Sequence, residues 1–308
     1  MSCEITVGIC AYNEENNIGR LLDNILEEQN LPAASEVFVV CSGCTDNTVK
    51  IVNRYTKRDH RVHVYVENER KGKASAVNHI LSKARGHTIL FISADTLPKK
   101  ACFNRLFSRM QNPNVGIVCG NPLPINNSAS LVDRFVQILW GFHDYVFEQL
   151  NDAHLARHAT EIFCVRKGIV DKIPTRTVND DAYIALEARK KGFLVNYDHE
   201  SRVLICGPRT LGDYFKQRRR ILLGHRQIRK MTGEAPQHLI FLFPLYPIRV
   251  IRLLQWPFIK YGLTFLVFLF VELFINIVAI LDSIFGKAHT KWSISTSTKK
   301  IPQFSESQ

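Results

Sequence analysis

Six short stretches carry the residue types from which chemistry could be built. The first lies in Thr88–Pro98, TILFISADTLP, where the apolar run Ile89 to Ile92 stops abruptly at Ser93-Ala94-Asp95-Thr96. Such a run is expected of a strand buried on both faces of a parallel sheet, and Pro98 keeps it from simply continuing. An aspartate at the carboxyl end of a central strand sits where open α/β sheets bind ligands. Its hard oxygens can hold a divalent cation, which in turn can hold a diphosphate. The plainer alternative is that Asp95 caps the next turn. The other stretches are Ala11-Tyr12-Asn13-Glu14, CSGCTDNT from Cys41, GKASAVN from Gly72, the pair Asp180-Asp181, and Gln217-Arg218-Arg219-Arg220.

The elements that must position these residues follow from periodicity. Glu4–Ala11 reads as a strand, and Ile18, Leu21, Leu22, Ile25 and Leu26 share one helical face. EVFVVC ending at Cys41 is a second strand, followed by a helix carrying Val49, Val52 and Tyr55 that Thr45-Asp46 can cap. VHVYVEN is a third, followed by a helix with Val77, Ile80, Leu81 and Ala84 on one side, and the run at Ile89 is the fourth. Four βα steps in succession imply right-handed crossovers and a doubly wound, mostly parallel α/β sheet. The first four motifs then fall at carboxyl ends of parallel strands and can converge on one crevice. Beyond them, Val115–Gly120, Ile162–Val165 and Leu194–Tyr197 read as strands, Leu131 to Leu150 as a long helix, and a further helix follows Asp181.

The 308 residues suffice for one large α/β domain plus an appendage, and the formal charge of +12 points to an anionic partner. The eight cysteines show no spacing of a disulfide framework, which favours a reducing compartment. Ile5, Val7 and Ile9 already belong to a first strand, so no signal peptide is expected. Composition changes near Ala235. Leu239–Tyr246 is almost wholly apolar, and Pro247–Trp256 interleaves apolar residues with Arg249 and Arg252 like a helix lying in a membrane interface. Tyr261–Leu281 is long enough to cross a bilayer, at ~1.5 Å per residue over ~30 Å of hydrocarbon. Glu272 interrupts it and must be protonated, partnered or facing another helix. Pro244, Pro247 and Pro257 keep an in-plane arrangement open beside a full span. The Lys/Arg residues between Lys216 and Lys260 keep that side cytosolic.

Taken together, the ordered motifs from Glu4 to Gln227 resemble the inverting family 2 glycosyltransferases of the GT-A fold. The resemblance implies that Ala11, Tyr12, Asn13, Glu14, Cys41 and Ser42 line the base and ribose pocket, with Lys73 near the phosphates. It matches Asp95, with Ser93 and Ala94, to the D-x-D element that binds Mg²⁺ or Mn²⁺ on a nucleotide diphosphate. It matches Asp181 to the general base, with Asp180 where a glutamate usually stands, and Gln217 and Arg220 to the Q-x-x-R pair beside acceptor and diphosphate. The chemistry suits these types: the leaving diphosphate gains negative charge that a cation and Arg220 can stabilise, and a carboxylate can take the incoming hydroxyl's proton. The partners so implied are a nucleotide-sugar donor, a lipid or saccharide acceptor and a membrane. The organisation implied is a nucleotide-sugar-binding half at 1–120 and an acceptor-binding, catalytic half at 121–232. Membrane-associated helices at 233–286 and a disordered tail at 287–308 complete it, with the enzyme at the cell membrane and its catalytic domain cytoplasmic.

Three positions depart from the family pattern. Ser93 replaces the first acid of D-x-D, Cys41-Ser42 stands where an acidic pair is usual, and Ile221 replaces a tryptophan typical of processive synthases. These departures motivate an alternative, a catalytically degenerate nucleotide-sugar-binding scaffold at the membrane. The remaining patterns are weaker. Cys41-x-x-Cys44 lacks the surroundings of a redox pair, and His154/His158 lacks the glutamate a metalloprotease places after its first histidine. The basic run Lys216–Lys230 has no interleaved aromatic platform, so it suits a solvated face or lipid headgroups better than nucleic acid.

Overall fold

A computed structural model describes residues 4–127, 130–152, 156, 158–234 and 247–285. The apolar run Leu239–Tyr246, His154 and the tail after Lys291 lie outside them. The first half is built of β1 (Ile5–Ala11), α1 (Ile18–Asp23, continued by a π-helical turn), β2 (Ser35–Ser42), α2 (Thr48–Arg58), β3 (Val62–Glu67), α3 (Lys73–Lys83) and β4 (Thr88–Ser93). β5 (Thr96–Pro98), α4 (Cys102–Met110), β6 (Val115–Pro124), α5 (Leu131–Asp152), β7 (Ile162–Arg166), α6 (Asp180–Lys190), β8 (Leu194–Ile205) and α7 (Leu211–Thr232) follow. Two apolar helices, α8 (Pro247–Tyr261) and α9 (Leu263–Ile284), end the described chain.

All eight strands form one sheet in the order β3-β2-β1-β4-β7-β6-β8-β5. β1 lies between β2 and β4, parallel to both, with Ala11 opposite Cys41 and Cys10 opposite Ser93. Three motif-bearing strand tips are therefore side by side, as the sequence predicts. Two strands, β7 and β5, run antiparallel to the rest of the sheet, a direction that the sequence leaves open for β7, while β5 is not expected from it at all. β7 is antiparallel to β4, with Ile162 opposite Ile92, so its first residues stand beside the end of β4. Pro98 does not end strand structure after Asp95. The chain reverses there and pairs Thr96–Pro98 with β8 at the sheet edge, where a proline costs no ladder hydrogen bond.

Strand alternation sends side chains to two cores. Val37, Val39 and Cys41 pack with Ile18, Leu21 and Phe103 on one face, and Val40 packs with Val77, Ile80 and Ile184 on the other. A third cluster joins α5, α7 and α9 through Phe135, Tyr214, Leu222, Phe265, Phe268 and Ile275. α9 is the one helix among the described residues long and apolar enough to cross a membrane, with a mean hydropathy of 2.6. Among the described residues one of its faces packs against protein, while Phe270, Phe274 and Ile277 are largely exposed, with Phe274 touching Phe215 at the margin.

Glu272 is not the isolated charge that a free span would carry. It accepts two hydrogen bonds from the Arg218 guanidinium on α7 at 2.9 and 2.8 Å, and a third at 2.7 Å from Tyr214 Oη. Ten residues on, Asp282 accepts from Arg219. α9 is thus pinned at two points to adjacent residues of α7.

Candidate active site

A cleft of about 870 Å³ opens along the carboxyl ends of β1, β2 and β4 and is closed on the far side by α5, α6, α7 and α9. Of the residues singled out in the sequence, Ala11, Tyr12, Glu14, Ser42, Lys73, Ser93, Ala94, Asp95, Asp180, Asp181, Gln217 and Arg220 all line it. Two do not. Cys41 is fully buried in the core on the opposite side of β2 from Ser42, as alternation requires. Asn13 (φ 51°) turns sideways, donating from Nδ2 to Thr45 Oγ1 at 3.1 Å and accepting from the Thr45 N–H at 2.8 Å. It ties the loop after β1 to the loop after β2.

The wall at Tyr12 and Glu14 is held from beneath. The Glu14 N–H donates to Thr48 Oγ1 at 2.7 Å, and its carboxylate accepts from Asn17 Nδ2 at 2.9 Å. The Arg70 guanidinium lies 4.2 Å from the centre of the Tyr12 ring, a cation–π contact covering one face. Arg70 reaches it because Gly43 adopts φ +64° and lets the 69–70 backbone come so close that a Cβ would meet Arg70 N at 2.3 Å.

Both serines that replace family acids rest on a glutamate from the next strand. Ser42 Oγ donates to buried Glu67 at the end of β3, which also accepts from Ser75 Oγ at 2.7 Å. Ser93 Oγ donates to Glu161 Oε2 at 3.0 Å, and Glu161, just before β7, itself lines the cleft. A carboxylate stands behind each serine, displaced by one strand.

Asp180 and Asp181 open α6 at the cleft wall. The N-terminal position Asn179 makes no capping bond; its amide donates instead to Ile221 O on α7 at 3.0 Å. α7 comes this close because Gly224 has no side chain: a Cβ there would meet Asn179 Oδ1 at 2.4 Å. Asp180 accepts from Lys73 Nζ at 3.1 Å. Burial alone would lower the Lys73 ammonium, but Asp180, Glu161 and Asp181 outweigh it and hold it above the usual lysine range. Asp181 behaves in the opposite sense. Burial pushes its carboxyl above the usual carboxylate range, with Asp180 and Glu161 adding to the shift while His158 and Lys73 oppose it. His158 Nε2 is 3.5 Å from Asp181 Oδ2, and the ring packs edge-on to His225 with centroids 5.5 Å apart.

On α7, Gln217, Arg220 and Ile221 line the cleft, and Tyr214 and Arg218 line it where they bond Glu272 on α9. Arg70, Glu67, Glu161 as the partner of Ser93, and His158 beside Asp181 carry no signal in the linear sequence. Each gains its place through contact with a distant strand or loop. Among the described residues no group of three or more His, Cys, Asp or Glu side chains is arranged to hold a metal by itself.

A mixed sheet whose parallel half ends in this cleft is the architecture of GT-A enzymes. Residues 6–173 match the model of Glycosyl transferase family 2, and the chain belongs to that family. It is 24% identical over 231 residues to poly-beta-1,6-N-acetyl-D-glucosamine synthase of Staphylococcus aureus, covering 73% of this chain and 55% of that protein. The chain therefore spans about half the length of the curated relatives it matches first. Glycosyltransferase AglE of Haloferax volcanii is 23% identical, with 73% of each chain covered. Among solved structures, the fold is similar to mannosyltransferase PcManGT from Pyrobaculum calidifontis in complex with GDP-Man and Mn²⁺ (TM-score 0.62, 20% identity, 94% of this chain and 76% of that one). It is also similar to S. aureus TarS 1-349 in complex with UDP-GlcNAc (TM-score 0.54, 16% identity, 76% and 68%).

Proposed function

We propose that this protein transfers a sugar, with inversion, from a nucleoside-diphosphate donor to an oxygen of a lipid or saccharide acceptor at the cytosolic face of a membrane. The observation that carries this reading is the opening of Asp95, Asp181, Lys73 and Arg220 onto one cleft, with Tyr12 and Glu14 at its base-side end. The neighbour solved with GDP-Man and Mn²⁺ supports the pairing of a nucleotide sugar with a divalent cation.

In this reading Tyr12, Glu14 and Ser42 receive the nucleoside. Lys73, held in place by Asp180, and Arg220 oppose the charge on the departing diphosphate. Asp181, on the acceptor side, takes the proton of the incoming oxygen. Asp95 would hold a Mg²⁺ or Mn²⁺ ion of the kind that keeps few protein ligands, with the diphosphate supplying most of the remaining oxygens. When bound, such a cation neutralises developing charge on the leaving group.

Calorimetry with a nucleoside diphosphate, with and without Mn²⁺, tests the donor side. Asp95→Asn is expected to lose roughly 10- to 100-fold of the Mn²⁺-dependent affinity, the loss of one charge-assisted contact, while metal-free binding stays as it was. Equal Mn²⁺ enhancement in the variant would remove Asp95 from the cation site. The scaffold reading is separated by turnover: nucleotide binding without release of nucleoside diphosphate to any acceptor would favour it.

The acid side of the pH–rate profile tests the base. Because His158 opposes the upward shift of Asp181, His158→Gln is expected to raise the Asp181 pKa further. The acid limb of kcat/KM then moves to higher pH while the rate well above it changes little. An unmoved limb would mean that another group sets it.

A further inference from the structure

The cleft extends well past the groups that the transfer chemistry uses. Beyond Asp181 it continues between α5 and α9 as an apolar wing, lined by Val136, Trp140 and Phe147 on one side and Phe268, Leu269 and Leu273 on the other. The α5 positions follow a helical stripe, so the lining is one continuous face of that helix. Its polar groups are few: Arg218 of α7 and Glu272 of α9 already satisfy one another, which leaves His143 and Asn276 among the apolar side chains. A saccharide in this wing would give up most of its hydration to apolar side chains, whereas an alkyl chain loses nothing by entering.

The wing also has a door. Leu273 lines the cleft and is 56% exposed, and Phe270, Phe274 and Ile277 beside it form the bare face of α9. Ile248, Ile251, Phe258 and Ile259 extend that bare surface along α8. At its margin Trp256 stacks on Tyr145 with centroids 4.7 Å apart, and Lys260 Nζ lies 4.6 Å from the Trp256 ring centre. Aromatic rings with a neighbouring lysine are the chemistry of a membrane–water boundary. The clamps at Glu272 and Asp282, ten residues apart on α9, are both held by the adjacent Arg218 and Arg219 of α7, so α9 is pinned to the domain beside the wing.

We propose that the acceptor is an amphiphile drawn from the bilayer beneath α8 and α9, its alkyl chain lying in the wing and its nucleophilic oxygen, hydroxyl or phosphate, beside Asp181. This rests on the transfer reading above. The acceptor oxygen forms the new bond to the anomeric carbon, and the bond from that carbon to the nucleoside diphosphate breaks. The diphosphate leaves with the electron pair, and a hydroxyl acceptor passes its proton to Asp181. The bare face supplies the lipid contact, and the +12 charge of the chain favours an anionic surface.

The test uses the full chain on phosphatidylglycerol–phosphatidylcholine vesicles. Butyl, octyl and dodecyl phosphates and the matching alkyl glucosides serve as acceptors, with nucleoside diphosphate release as the readout. For the head that is accepted, kcat/KM is expected to rise roughly two- to fourfold per added methylene until the wing is filled; the two series distinguish a phosphate from a hydroxyl oxygen. Separately, dodecyl phosphate carrying a terminal diazirine is photolysed on the vesicle-bound protein. Labelled peptides are expected to contain Val136–Phe147 and Phe268–Leu273. Leu273→Asp, at an exposed position that folding tolerates, is expected to keep nucleoside diphosphate affinity and lose at least tenfold in dodecyl acceptor kcat/KM. Release that is indifferent to chain length, or label confined to α8, would overturn the lipid acceptor. Label in the wing with no release from any acceptor would uphold a lipid site and count against transfer instead.

Discussion

Asp181→Asn is expected to lower kcat by about 10²- to 10⁴-fold, the usual contribution of a positioned base, and at the same time to raise the melting temperature at neutral pH. The two effects share one cause. Burial holds the Asp181 carboxyl above its ordinary range, with Asp180 and Glu161 adding to the shift. A carboxyl whose folded pKa exceeds its unfolded one favours the fold below the unfolded pKa and loses that contribution as pH rises through the folded value. Above the ordinary carboxylate range Asp181 therefore costs the fold stability, and a neutral amide of the same shape relieves that cost. The Tm gain should shrink as pH falls towards the ordinary carboxylate range, where the native side chain is itself protonated. Thermal scans across that window, paired with donor turnover in the presence of an accepted acceptor, check both halves. A variant that is stabilised yet still transfers sugar at the native rate would show that Asp181 stands in the cleft wall for reasons other than proton transfer.

The same residues show how far the linear sequence reaches. The parallel half of the sheet was legible because continuous apolar runs alternate with helical stripes, and parallel crossovers leave little freedom in how such units stack. The direction of β7 was not, since five buried residues, IFCVR, read alike in either sense. β5 was hidden because three residues around a proline carry no period. In the cleft, strand ends placed Ala11, Ser42 and Asp95, but choosing between Cys41 and Ser42 required knowing which face of β2 looks outward. The largest gap concerns the serines. Read along the chain, Ser42 and Ser93 are two lost acids and suggest a weakened site. In three dimensions Glu67 and Glu161 stand behind them from adjacent strands. A replacement that arrives sideways across a sheet leaves no trace in residue spacing.

α9 is attached by an apolar seam and two ion pairs, of which Arg218–Glu272 is the more buried, so its removal is the larger of the structural perturbations. Glu272→Ala is expected to cost about 3–5 kcal/mol, the range for leaving one member of a buried pair uncompensated. Arg218 is the member left behind. Burial works against its charge, and Glu272 now more than offsets that, holding the guanidinium above its usual range. With Glu272 gone, Arg218 must either stay dry and unpaired or swing out, and swinging out opens the seam between Tyr214, Phe265 and Phe268. Replacing both partners, as Arg218→Met with Glu272→Leu, should recover most of the loss, because two apolar groups of similar size need no solvation. Urea midpoints of the wild type, the single variant and the double variant, in mild detergent, measure the cycle. Nucleoside diphosphate affinity should hold across all three, since Tyr12, Lys73 and Asp95 lie on the opposite wall. If Glu272→Ala proves as stable as the wild type, the apolar seam and the Arg219–Asp282 pair hold α9 without help from the Arg218–Glu272 pair.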